Sequence, residues 1–233
     1  MDHTCSEHIC AANVPIFADL GPAELARLHE VIVSRTYPKG ALIVAQGDAG
    51  GSLHIVRAGR VKINRISPQG KEQILRFLGP GDFFGELSLF SEEPMPFNAE
   101  ALAEASICTI HKDHVENILR ENPETALKVV RALSHRLRET EQLIEDLGIK
   151  NSEQRVISLL LQLAAKSGRK DPQGSITIDL VASREELAHL IGTTQETLSR
   201  RLSSLEEDGL IAIIGQKKIV LKDPAALEAR QFA

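Results

Sequence analysis

Glu196, Ser199, Arg200 and Ser203 fall in one short segment that also carries Leu198, Leu202 and Leu205. At about 100° per residue the three leucines share a narrow arc, so Glu196, Arg200 and Ser203 point away from it and Ser199 lies on its flank. Near the start of an exposed helix such groups can meet base edges in a major groove. Arg bonds guanine O6 and N7 in bidentate fashion, Glu accepts from the cytosine amino group, and Ser serves either role. Gln195 stands beside them at the helix start. Each residue also has an ordinary explanation: Arg200 as a solvated side chain, and Glu196 as the partner of Thr193 in a capping box.

A second set of reactive groups is Cys5, Cys10 and Cys108, with His3 and His8 in the same leader as the first two cysteines. Thiols and imidazoles at this density can hold a metal or exchange a disulfide. Three cysteines are too few for a disulfide scaffold and are expected reduced unless they sense something. His111 and His114 form only a weak metal pair at the end of a strand.

The elements that must position the first set are legible. Ser183-Arg-Glu-Glu186 has the spacing of a capping box and opens a helix burying Leu187, Ala188 and Ile191. Gly192-Thr-Thr is a tight turn, and a second helix runs to about Glu207. This is helix-turn-helix punctuation. After Gly209, Leu210–Ile214 and Lys218–Leu221 pair around Gly215-Gln-Lys217, a wing whose Lys217 and Lys218 suit phosphate contact. Upstream, Val156–Ala165 reads as an apolar helix and Ser175–Leu180 as a strand, with Ser167–Gly174 a loop between them.

Before that, residues 33–111 break into short runs (Ala41–Val44, Leu53–Val56, Val61–Ile66, Gln73–Leu78, Ile107–Ile110) punctuated by glycines, the texture of a small antiparallel barrel or jelly roll. Pro22–Val31 is a short amphipathic helix and His114–Arg120 another. From about residue 124 to 147, Ala126, Val130, Leu133, Leu137, Thr140, Ile144 and Leu147 advance in steps of four and three, the spacing of a coiled-coil seam. A second copy of the chain is the simplest partner for that seam; packing on its own barrel is the alternative. Gly148 and Asn151-Ser-Glu mark a hinge.

The net charge of −5 argues against a protein that coats nucleic acid non-specifically. Of 27 Lys+Arg and 32 Asp+Glu, 12 and 11 lie from residue 150 onward, leaving 15 against 21 before it. The helix-turn-helix half is thus near neutral, and local placement of its cations decides. No apolar run approaches a membrane span and Met1-Asp-His-Thr-Cys5 lacks signal-peptide layout, so a cytoplasmic location without membrane is expected.

Tyr37-Pro-Lys-Gly40, Gln46-Gly-Asp48, Gly59-Arg-Val61, Gly81-Asp-Phe-Phe-Gly85-Glu-Leu87 and the helix-turn-helix, taken in order, resemble the CRP/FNR family of bacterial regulators over nearly the whole length. The resemblance implies an α+β fold: a leader at 1–14, a β-roll sensor domain over 15–120, a dimerisation helix and hinge over 121–150, and a winged helix-turn-helix over 151–233. It implies a non-enzymatic homodimer on a double-stranded DNA operator, with RNA polymerase as a further partner. Cyclic-AMP-binding members follow Gly-Glu-Leu with an Arg-Ser pair about ten residues on. Here Glu93-Pro-Met-Pro-Phe-Asn98 stands instead, no Arg or Lys lies between Arg76 and Lys112, and Glu141 replaces a typical serine. An anionic ligand there faces desolvation and repulsion, so cyclic AMP is not the expected effector. Glu196-Thr-Leu-Ser199-Arg200 matches the FNR-like Glu-x-x-Ser-Arg pattern, implying a TTGAT half-site repeated as an inverted pair.

For the signal, Cys108 matches the β-roll cysteine of iron–sulfur members, but the leader supplies only Cys5 and Cys10 and lacks Cys-x-x-Cys. The readings left open are a thiol switch between Cys108 and a leader cysteine, a cluster completed by His8, His3 or a carboxylate, haem or another small ligand in the β-roll, and a buried, inert Cys108. A cupin-like metal enzyme is the alternative from another class, as is a ligand-binding β-roll without operator-specific DNA binding. The barrel strands carry only His54 and His111 and no His-x-His pair.

Overall fold

A computed structural model describes residues 3–4, 14–17, 20–91 and 93–231. Contacts divide the chain into two compact units, one up to Leu137 and one from Arg138.

In the first unit the strands are β1 (His3–Thr4), β2 (Val33–Tyr37), β3 (Leu42–Val44), β4 (Ser52–Ala58), β5 (Val61–Ile66), β6 (Glu72–Leu78), β7 (Phe83–Phe84), β8 (Asn98–Ala101) and β9 (Ala105–His111). They form two sheets, ordered β1-β2-β9-β4-β7 and β3-β8-β5-β6, with antiparallel pairing throughout. Alternation along the first sheet explains its two buried faces. Val56, Phe84, Ala105 and Ile107 join Val61, Ile63, Met95 and Phe97 inside the roll. Leu53, Ile55, Phe83, Cys108 and Ile110 face the opposite way, onto a layer of helices. That layer comprises α1 (Pro22–Val31), α2 (Glu86–Ser91), α3 (Lys112–Glu121) and the start of α4 (Pro123–Ile149). The jelly-roll expectation holds, and β2, β7 and β8 add to the runs read from sequence.

Gly85 lies at the junction of β7 and α2 with φ +93, and a Cβ there would sit 2.5 Å from the Ser52 carbonyl oxygen. Only glycine makes this turn, which aims Glu86 inward.

The long helix is continuous over 27 residues. Thr125 and Val129 are buried and Ala132 and Leu133 pack on the helix-side core, whereas Val130, Leu137 and Ile144 are exposed, at 56%, 60% and 65%. Leu133 therefore packs partly on the roll and Ala126 is half-buried, while the other seam positions, with Thr140 and Leu147, are exposed.

The second unit contains α5 (Ser152–Ser167), β10 (Arg169–Lys170), β11 (Ile176–Asp179), α6 (Arg184–Leu190), α7 (Gln195–Glu207), β12 (Ile211–Ile214), β13 (Lys218–Leu221) and α8 (Pro224–Gln231). Asn151 caps α5 by accepting from the Glu153 and Gln154 amides, with Gln154 reaching back in a capping box. The strands form one sheet, β10-β11-β13-β12. Leu187, Ala188, Leu198, Leu202 and Leu205 from the helix pair are buried, as are Ile157 and Leu160 of α5. No helix among the described residues is long and apolar enough to cross a membrane.

Candidate nucleic-acid interface

The first helix of the pair, α6, begins as its sequence dictates. Ser183 Oγ accepts from the Glu186 amide at 3.2 Å and Glu186 Oε2 accepts from the Ser183 amide at 2.8 Å. Gly192, φ +63, reverses the chain, and Thr194 then caps α7 by accepting from the Thr197 amide at 3.2 Å. The cap is Thr194, not Thr193, so the third helical position is Thr197 and Glu196 has no part in a capping box.

On α7, Leu198, Leu202 and Leu205 are buried, Gln195, Glu196, Arg200 and Ser203 are exposed, and Ser199 is half-buried. Among the described residues neither Glu196 nor Arg200 joins a hydrogen bond or ion pair. The wing follows as β12 and β13, joined through Gly215 at φ +63. Lys217 is exposed in the turn, its carbonyl accepting from the Leu180 amide at 2.7 Å, and Lys218 is half-buried opposite Asp179.

Three arginines of this unit point inward. Arg155 of α5 donates to the carbonyls of Ile191 and Gly192 at 2.9 and 3.3 Å, satisfying the end of α6. Arg201 and Arg230 converge on Glu153 of α5. Sequence patterning missed all three, because a lone arginine gives no periodic signal of its direction.

The core of the first unit holds a buried charge cluster. Glu86, 3% exposed, forms an ion pair with Arg136 of the long helix at 2.8 Å and accepts from Arg76 of β6 at 3.4 Å. Arg136 also donates to the Phe83 carbonyl and stacks on the Phe83 ring at 4.0 Å. Burial foremost, and Arg136 beside it, lower the pKa of Arg76. Met95 and Phe97, in the segment where cyclic-AMP-binding members carry Arg-Ser, are buried apolar filling.

Cys108 is fully buried among Val14, Leu53 and Ile110, its Sγ 3.9 Å from Ser34 Oγ. Cys5, Cys10 and His8 lie outside the described residues. Among those described, no three His, Cys, Asp or Glu side chains gather as a metal site, and His111 instead pairs with Asp113 at 3.2 Å.

His54 stacks on Phe84 at 4.9 Å and shares a 3.0 Å hydrogen bond with Thr109. Burial pushes its pKa down from 6.5 to about 4. The folded state therefore resists a proton that the unfolded chain accepts. Stability from this group is complete above pH 6.5 and is lost as pH falls toward 4, amounting to about 3 kcal/mol. Urea unfolding of wild type and His54→Gln across that window will show the wild-type curve falling more steeply. Parallel curves would refute the assignment.

Residues 34–122 match the family profile described as the cyclic nucleotide-binding domain, and residues 154–230 match the Crp-like helix-turn-helix domain. The CRP-like cAMP-activated global transcriptional regulator of Mycobacterium tuberculosis is 32% identical over 219 residues, covering 94% of this chain and 97% of the relative. Among solved structures, a CooA mutant from Carboxydothermus hydrogenoformans superposes with a TM-score of 0.79 at 25% identity, covering 91% of each chain. FixK2 from Bradyrhizobium japonicum gives 0.75 at 27% identity, covering 85% of this chain and 96% of that one. Two consecutive domain matches in this order, on a β-roll followed by a long helix and a winged helix-turn-helix, place the chain in the CRP/FNR family of transcription regulators.

Proposed function

We propose that the protein is a homodimeric regulator that reads an inverted repeat of TTGAT half-sites and responds to thiol oxidation. The exposed row of Glu196, Arg200 and Ser203, free of any internal partner among the described residues, carries the DNA reading. Arg200 is the guanine reader, Glu196 accepts from a cytosine amino group, and Gln195 and Ser199 assist at the helix start. Lys217 and Lys218 bond phosphate and fix register. Val130, Leu137 and Ile144, seven residues apart and exposed in the single chain, are the seam for a second copy. Two-fold symmetry then sets the half-sites about one helical turn apart, and RNA polymerase is the partner through which occupancy acts on transcription.

The relative from Mycobacterium tuberculosis is named for cyclic AMP, but this roll does not fit that ligand. A cyclic phosphate needs a cation to spare, and Arg76 and Arg136 are both drawn onto Glu86. The residues described do not fit an iron–sulfur cluster either, since among them no three His, Cys, Asp or Glu side chains gather around Cys108 or elsewhere. The thiol reading rests on strand order. β1 pairs with β2 through His3 opposite Ser34, and β2 pairs with β9 through Ser34 opposite Cys108. The strand entering the leader thus lies two strands from the buried thiol, and Cys5 follows directly after Thr4.

Fluorescence anisotropy with an inverted-repeat duplex and a scrambled one tests the DNA reading, with preference for the repeat by a factor on the order of a thousand expected. Equal affinities would overturn it. Diamide should change operator affinity and dithiothreitol restore it, in wild type but not in Cys108→Ser. An unchanged affinity sinks the thiol reading alone. Saturating cyclic AMP should leave the melting temperature fixed, whereas a ligand at a hundred times its Kd adds about 2.7 kcal/mol. A raised melting temperature would mean that the roll binds the nucleotide after all.

A further inference from the structure

Arg200 and Arg201 are adjacent, yet only Arg200 faces outward. The 100° turn between them carries Arg201 onto the inner flank of α7. There its Nε donates to Ser152 Oγ at 3.1 Å and its Nη1 lies 3.5 Å from Glu153. The other oxygen of Glu153 accepts from Arg230 Nε at 2.6 Å, and Arg230 Nη1 reaches Asp208, the residue closing α7. The reading helix is therefore held near its middle by Arg201 and at its end by Asp208, and both holds meet at Glu153.

The next residue, Gln231, donates to Ser158 Oγ at 2.8 Å, which also accepts from Lys150 at 2.9 Å. Lys150 in turn pairs with buried Asp146, in the last turns of the long helix, at 2.8 Å. Two consecutive side chains of α8 thus join the hinge to the inner face of the reading helix.

We infer that Arg201, Glu153 and Arg230 are positioning residues, a shared ionic clamp that sets the pose of α7 and with it the discrimination between DNA sequences. This rests on the proposal that α7 is the reading helix. The geometric reason is leverage. Glu196 and the helix start lie about 8–9 Å from Arg201 along the axis, so a tilt of about 10° moves them by roughly 1.5 Å. A hydrogen bond from Glu196 or Gln195 to a base edge fails at such an offset. Phosphate contacts at the wing tolerate them, because long lysine side chains follow the backbone.

The test uses the full-length chain and the duplex sequence that wild type enriches from a randomised pool, beside a scrambled duplex, over a salt series. Arg201→Gln, Glu153→Gln and Arg230→Gln should each lose about ten-fold in preference for the enriched sequence. Affinity for scrambled DNA and the salt slope should stay as in wild type. Arg201→Lys should recover most of the loss, and Arg201→Gln with Glu153→Gln should cost no more than either alone.

Unchanged preference in these variants would overturn the clamp. So would equal losses on both duplexes with a salt slope smaller by about one, since Arg201 would then be a phosphate contact. Thermal unfolding checks folding, and if Arg201→Gln fails to fold, Ser152→Ala, which deletes one hydrogen bond, carries the same comparison. If wild type enriches no sequence, the reading of α7 falls and the clamp with it. If wild type selects and the variants select equally well, only the clamp falls.

Discussion

Arg200→Ala should lose at least about thirty-fold of the preference for the operator while staying as stable as wild type. Arg200 is exposed and makes no internal bond among the described residues, so truncation costs the fold nothing beyond surface scatter. On the proposed reading each lost base contact is worth about 1–3 kcal/mol, and the proposed two-fold complex loses it twice. The expected penalty is about 2–6 kcal/mol, roughly thirty-fold to more than a thousand-fold in affinity. Glu196→Ala separates specific from general binding more sharply. On the same proposed reading it removes a base contact and also a negative charge facing the duplex, so affinity for the inverted repeat should fall while affinity for scrambled DNA should rise. Anisotropy on both duplexes reads the two effects together. Wild-type affinity for the repeat in both variants would show that other residues do the reading.

Glu86→Ala is the second large effect, this time on stability. Its carboxylate lies under two guanidiniums inside the first unit. Removing it strips both guanidiniums of their shared carboxylate and leaves Arg76 only the weaker field of Asp82, and stripping one partner from a buried ionic group costs about 3–5 kcal/mol. The denaturant midpoint should fall accordingly. Replacing Arg76 by Met in the Glu86→Ala background should recover part of the loss, because one stranded charge then disappears with its partner. A loss under about 1 kcal/mol would mean that water reaches the cluster and screens it.

Local signals carried much of this architecture. The Ser183 cap, the Gly192 turn and the β12–β13 pair are each written within a few consecutive residues, so periodicity and capping rules find them, whereas the Asn151 cap stands in a stretch that reads as a hinge. What escaped is long-range. β2 joins β9 across some seventy residues, and β7 and β8 are too short to show alternation. Arg76 meets Glu86 only because Gly85 turns the chain. The cap at Thr194 rather than Thr193 is a one-residue matter, since either threonine offers the same hydroxyl and only backbone direction decides. For the site, angular reasoning placed Glu196 and Arg200 outward, but the inward role of Arg201 depends on Glu153 and Arg230, far from it in the chain.

The arginine doublet on α7 has a consequence for how this gene tolerates variation. Because neighbouring guanidiniums serve opposite sides of one helix, the pair acts as a reading-frame mark. A single deletion between Thr194 and Arg200 would bring Arg201 to the groove, swing Leu202 out of the core and leave Glu153 with Arg230 alone. Changes of length are thus barred where changes of letter are graded. Among surviving letter changes, those at 200 would alter which sequence is bound, whereas those at 201 would keep the same sequence and blur the choice.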